Sequence, residues 1–247
     1  MNDSRPTRSK RTTAALIRSR IGRGGERLWR LNDFRGLPFA AVAQALSRLT
    51  REGLIERLSK GVYYRGRETP FGKSLPNPAA IQKLAARGRT LFPSGIAAAN
   101  LLGFTTQSAR HGELATSAMS LPRKLVGGDT VIHARRPAAW AGLSDEDAAL
   151  LDFLRRGGKT SELTQDDTVQ RTLALLSENG RLDRLLRIAG AEPPRVRAVL
   201  GAMAEQLGKP FATLRRLRAS LNPSSRFDFG VLSGLPHARS WQAKGRP

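Results

Sequence analysis

With 247 residues, 40% of them hydrophobic, the chain is long enough for two domains and for a buried core. Its 42 Lys and Arg against 20 Asp and Glu leave a formal charge of +22, which points to a polyanionic partner, nucleic acid being the commonest; a GC-rich coding bias would account for part of the arginine excess. The lack of cysteine excludes disulfide scaffolds and thiolate metal sites, no apolar run approaches the roughly eighteen residues of a membrane span, and the basic start has no signal-peptide core, so a cytoplasmic protein without a membrane partner is expected.

Residues 1–11, with Arg5, Arg8, Lys10 and Arg11, read as a basic flexible arm. Thr12 to Ile21 predicts a first helix, Ala14, Ile17 and Ile21 on one face and Arg18 and Arg20 off it. Gly22 to Gly25 breaks it, Leu28 to Leu31 is a short extended piece, and Asn32 or Asp33 caps a brief helix ending at Leu37. The next stretch, PFAAVAQALSRLTREG from Pro38 to Gly53, is the most regular in the chain. Phe39, Val42, Leu46 and Leu49 recur at three- and four-residue steps, Pro38 suits the first helical position and Gly53 the left-handed end. The opposite face carries Gln44, Ser47, Arg48 and Arg51, the side-chain types that read base edges and grip phosphates. Taken alone, such a face is most simply a solvated one.

Its neighbours change that reading. Leu54 to Arg65 predicts two short strands turning at Ser59-Lys60-Gly61, which would put Arg57, Lys60 and Arg65 on a basic hairpin. Helix, strand, short helix, longer helix and hairpin is the order of a winged helix-turn-helix, here over residues 12–68. Residues 1–70 hold 16 Lys and Arg and 6 Asp and Glu, against 26 and 14 in the remaining 177, so net positive charge is about twice as dense in this part. The expected DNA-contacting set is therefore Arg18, Arg20, Gln44, Ser47, Arg48, Arg51, Arg57, Lys60 and Arg65.

Residues 69–78 read as a Pro-rich linker to a second domain over 79–221. There we expect a helix from Pro78 to about Arg87, a second from Gly95 to Leu102 closed by Gly103, and strands near 112–119, 121–126 and 129–135. Ser144 and Asp147 form a capping pair for the next helix, and further helices are expected near 166–177, 180–189, 194–207 and 210–219. Residues 222–247 are basic and poor in apolar residues and read as mostly disordered, with Phe227, Phe229, Val231, Leu232 and Trp241 left to dock. The fold class is α+β: an N-terminal winged helix-turn-helix domain plus a mixed α/β, mainly helical C-terminal domain.

Chemistry finds little support in the residues. Gly22-Arg23-Gly24-Gly25 lacks the Gly-Lys-Ser/Thr ending of a phosphate loop and follows a helix rather than a strand. His111, His133 and His237 stand far apart without carboxylates at ligand spacing, and Asp145-Glu146-Asp147 is accounted for by the helix dipole. No nucleophile elbow or catalytic carboxylate pair stands out, so no enzyme activity, metal or cofactor is expected.

The stretch GLPFAAVAQALSRLTREGLIERLSKGVYYRG, the linker FGKSLPNP and the run FPSGIAAANLLGFTTQ from Phe92 to Gln107 resemble the antitoxin component of AbiE-type (type IV) toxin–antitoxin systems. The resemblance covers about residues 12–135 and implies a winged helix that binds repeated sites in its own promoter and represses it. It also implies a second domain that counters a nucleotidyltransferase-like toxin, often without a stable complex. By position, Gln44, Ser47 and Arg48 map to the helix that enters the groove, and Arg57, Lys60 and Arg65 to the wing. The chain after Asn222 departs from the compact family pattern. The alternatives are a stand-alone winged-helix regulator with a ligand-sensing or dimerising domain, a nuclease, and an accessory protein that holds nucleic acid by charge alone.

Overall fold

The computed structural model describes residues 12–77, 80–81, 90–121 and 123–245. They form a mixed α and β fold with three small sheets. The chain divides into two compact units, Met1–Ala85 with Pro122–Val126, and Ala86–Leu121 with Gly127–Pro247. The expected basic arm, and most of the helix expected from Pro78, lie outside the described residues.

In the first unit, helix α1 (Thr13–Arg23) starts where the Thr12 hydroxyl accepts the Ala15 N–H, and it buries Ile17 and Ile21. Strand β1 (Arg27–Arg30) leads through a 3-10 turn, Leu31–Phe34, to helix α2 (Phe39–Arg51). The buried stripe of α2 is Val42, Ala45, Leu46 and Leu49, packed with Ile17, Ile21, Trp29 and Phe34. Phe39, expected on that stripe, is 70% exposed. It is the first residue of the helix, so the stripe runs past the end of the core before reaching it. Gly53, at φ +70°, closes α2, with the Leu54 N–H returning to the Leu49 carbonyl at 3.0 Å.

Strands β2 (Glu56–Ser59) and β3 (Val62–Arg65) follow, and the sheet runs β1-β3-β2, antiparallel throughout, with Trp29 opposite Tyr63 and a bulge between Arg57 and Ser59. The bulge explains the imperfect alternation of the sequence here. Part of the expected linker is a small hairpin, β4 (Glu68–Thr69) and β5 (Gly72–Lys73), and Ser74 beyond it bonds Tyr64 and Glu26. The strand expected over 121–126 is instead a helical turn, Arg123–Val126; Leu125 and Val126 lie against Leu28, Leu58, Val62 and Ile81. Leu125 is buried and Val126 partly buried there, and no strand pairs with the segment among the described residues.

In the second unit, strand β6 (Leu91–Pro93) pairs antiparallel with β7 (Glu113–Thr116), which pairs parallel with β8 (Val131–His133). Helix α3 (Gly95–Leu101) lies between the first two strands in sequence. Helix α4 (Asp145–Arg155) is the core element: every residue from Asp147 to Leu154 is buried, and Phe153 stacks on Phe104 with centroids 3.9 Å apart. Its first turn is capped as the sequence predicts, the Ser144 hydroxyl accepting the Asp147 N–H at 3.1 Å. Helices α5 (Gln165–Ser177), α6 (Arg181–Ile188), α7 (Pro194–Gln206) and α8 (Phe211–Ala219) complete the unit.

The expectation of a mostly disordered segment after Asn222 is wrong. Phe229, Leu232, Leu235, Ala238 and Trp241 are all buried, in a run containing two 3-10 turns, Gly230–Gly234 and Arg239–Trp241. Those five recur every third residue, which is the period of a 3-10 helix and not of the α-helix or strand. Phe227 and Lys244 bond across to fasten the end, and the Trp241 ring lies where a Cβ on Gly201 would be.

Candidate nucleic-acid interface

Because α2 turns its apolar stripe to the core, its other face is open. Gln44, Ser47, Arg48 and Arg51 are all exposed, at the i, i+3, i+4, i+7 spacing of one helix face. Arg48 and Arg51 take part in none of the described ion pairs of this unit, and both sit in the last turn, where the helix dipole favours a cation. Arg57 and Lys60 are exposed on the hairpin, Lys60 beside Gly61, which takes φ +74° to make the turn. Arg57 Nε makes only a 3.5 Å contact with the Ser59 carbonyl.

Three of the expected contact residues are otherwise engaged. Arg65 is turned inward: its guanidinium donates to the Ile21 carbonyl at 2.7 Å and to that of Gly22, satisfying the end of α1. It is a fastening between hairpin and helix, not a free wing cation. Arg18 pairs with Glu52 across a surface where both side chains are open, so the bond is a weak one to displace. Arg20 lies over the Phe34 ring, 5.7 Å from its centroid. The sequence reading also passed over a cleft of about 570 Å³ lined by Arg27, Arg30 and Arg35 with Asn32 and Asp33. Its signal lies in the arginines at the two ends of β1 and in Arg35, and a short extended piece gives no local sign that they share a cleft. Arg27 is itself spoken for, 3.9 Å above the Trp29 ring and 3.7 Å from Asp33.

In the second unit the Pro93-Ser94-Gly95 segment has a structural role. Gly95 takes φ +59° and donates its N–H to Asp152 at 2.9 Å, and a Cβ there would overlap the Glu113 carboxylate. Asp152, fully buried, also accepts from Arg136 at 2.7 Å and Arg156 at 2.9 Å. Burial pushes its carboxyl upward, but the Gly95 N–H and the Arg156 guanidinium outweigh that and hold it below the usual carboxylate range. Glu192 likewise accepts from Trp140 Nε1 and from Arg155, each at 2.7 Å. On the arginine-rich helix α6, Arg181 and Arg184 both bind the buried Asp147.

No family model matches this chain, and no curated protein does. Among solved structures, the crystal structure of RV2827C protein from Mycobacterium tuberculosis is similar: 17% identity over 87% of this chain and 84% of that one, with a TM-score of 0.47. A likeness of that size says nothing about what either protein binds.

His133 contacts Glu113 at 2.6 Å, His237 lies 3.9 Å from Glu205, and His111 is exposed. Among the described residues no group of His, Cys, Asp and Glu side chains is arranged to hold a metal ion, and no helix is long and apolar enough to cross a membrane.

Proposed function

We propose that this protein is a non-enzymatic antitoxin and autorepressor of the AbiE type, a cytoplasmic protein that binds double-stranded promoter DNA through a winged helix at residues 12–68 and counters a nucleotidyltransferase-like toxin with its second unit. The observation that carries the DNA half is the unpaired face of α2, Gln44, Ser47, Arg48 and Arg51, beside a hairpin in a sheet of order β1-β3-β2. That is where a winged helix keeps its groove-entering helix and wing. Phosphate contacts by Arg51, Arg57 and Lys60 supply most of the affinity. A bidentate contact from Arg48 or Gln44 adds about 1–3 kcal/mol of discrimination per base.

In-vitro selection from a random duplex library tests this. Arg48→Ala is expected to relax the selected sequence, whereas Lys60→Ala weakens all sequences alike and lowers the salt slope by about 0.9. An unchanged selected sequence with Arg48→Ala removes α2 from the groove. The antitoxin half is tested by growth: the full chain carrying Arg48→Ala and Arg51→Ala is expected still to rescue cells from the toxin of the neighbouring reading frame. A second reading, a stand-alone regulator whose second unit senses a ligand, is favoured by an arginine-lined cavity in that unit.

A further inference from the structure

The second unit contains a cavity of about 290 Å³ bounded by His133, Arg136, Arg155, Arg156 and, at the start of α7, Arg195. No carboxylate is among its lining residues. The carboxylates stand behind the wall: Asp152 and Glu192 have fully buried side chains, while Arg136, Arg155 and Arg156 in front of them remain 13%, 17% and 26% exposed. Asp152 holds Arg136 through Nη2 and Glu192 holds Arg155 through Nε, leaving the rest of each guanidinium in the wall, whereas Arg156 is more fully used, by Asp152 at Nε and by Glu113 and Ser94 at Nη2. Arg195 pairs with no acid in the described ion pairs, its one contact being 3.5 Å to the Asp228 carbonyl. Three guanidiniums therefore share three carboxylates, Asp152, Glu192 and Glu113, His133 leans on the last of these, and Arg195 is a fourth guanidinium beyond that balance.

Two details show that the positive charge is not fully compensated. Arg136 and Arg155 both lie 5.4 Å from the Trp140 ring centroid, two cations on one indole. Arg136 Nε is buried with no hydrogen-bond partner among the described residues. Burial, and then the nearby Arg155 charge, pull its pKa down from the ordinary value, which is the effect a bound anion would reverse. Helix α7, thirteen residues long with Pro194 at its first position, adds the positive end of its dipole to the same wall.

We propose that this cavity is a binding site for the phosphoryl group of a small phosphorylated molecule, or for phosphate itself. Planar forks held from behind present paired donors to a tetrahedral dianion, which is the recognition geometry of arginine. The volume lies just below the range of small-molecule sites, about 300–1,000 Å³, and suits a phosphoryl group or a small phosphorylated metabolite better than a duplex.

The test is calorimetric titration of the full chain with inorganic phosphate and with pyrophosphate against chloride at equal ionic strength, repeated with a short DNA duplex. One saturable phosphate site per chain is expected, weakened about tenfold by Arg195→Gln, partly restored by Arg195→Lys, and unmoved by Arg48→Ala. Arg195 is chosen because no carboxylate depends on it, and the thermal melting of Arg195→Gln checks that the fold is kept. The proposal is overturned by the absence of saturable binding above chloride. It is overturned equally by phosphate binding that is lost with Arg48→Ala and kept with Arg195→Gln, or by an Arg195→Gln effect on the duplex alone. The Arg195→Gln result is independent of whether α2 enters the groove.

Discussion

The two units use arginine in opposite ways. In the first, Arg48, Arg51 and Lys60 project from a small core and take part in none of its described ion pairs. In the second, Arg136, Arg155, Arg156, Arg181 and Arg184 bridge to buried Asp152, Glu192 and Asp147, holding strands and helices together. A basic composition therefore carries two messages that the count alone does not separate. What separates them is where the acids are. A buried carboxylate needs its cation to offset desolvation, and that cation is then held by the fold, with only the part of its fork that the acid does not use left for a partner.

The sharpest way to break this contrast is to remove an acid from the second unit. Asp152→Asn leaves the half-buried Arg136 without its ion-pair partner and Arg156 with Glu113 alone, and is expected to cost about 3–5 kcal/mol in urea unfolding. Arg48→Ala, by contrast, is expected to stay within about 0.5 kcal/mol. Equal effects would mean that the two kinds of arginine are not distinct. The same carboxyl gives a pH signature. Its folded pKa lies below the unfolded value of about 3.9, so its contribution is fully present above that value and lost as pH falls through the lower folded one. Stability measured from pH 5 downward should fall less steeply in Asp152→Asn.

Next in size is Trp241→Ala, expected to cost about 3–5 kcal/mol and to open the chain after Asn222 to proteolysis. No loss of stability would return that segment to the status of a tail. The smallest effect sharpens the comparison inside the first unit. Arg65→Met removes the bonds to the Ile21 and Gly22 carbonyls and is expected to cost about 1–3 kcal/mol, with DNA affinity per folded molecule unchanged. A loss of affinity without a loss of stability would place Arg65 among the DNA contacts.

What was legible follows from the range of the interactions involved. Helix α2 could be read because its stripe, Val42 to Leu49, and its stop, Gly53, are local signals. The cap at Ser144 was readable for the same reason. Pro93-Ser94-Gly95 stood out as a segment, yet its role depends on Asp152, fifty-seven residues on, and no local pattern announces that bond. Arg65 and Lys60 look alike in sequence, and only the position of the α1 carbonyls tells them apart. The run from Phe229 to Trp241 was missed because its apolar residues keep a three-residue step, while composition alone suggested a chain too poor in apolar groups to fold.

The lodging of Trp241 over Gly201 bears on how the protein is made. Synthesis runs from the N-terminus, so α4 to α7 leave the ribosome before the side chain that fills the space beside Gly201 exists. Until residue 241 is delivered, the second unit has a hole of the size of an indole beside Gly201, bordered by Glu205 and Arg218. A nascent or prematurely stopped chain is therefore marked, by that hole, as unfinished to any chaperone or protease that samples it.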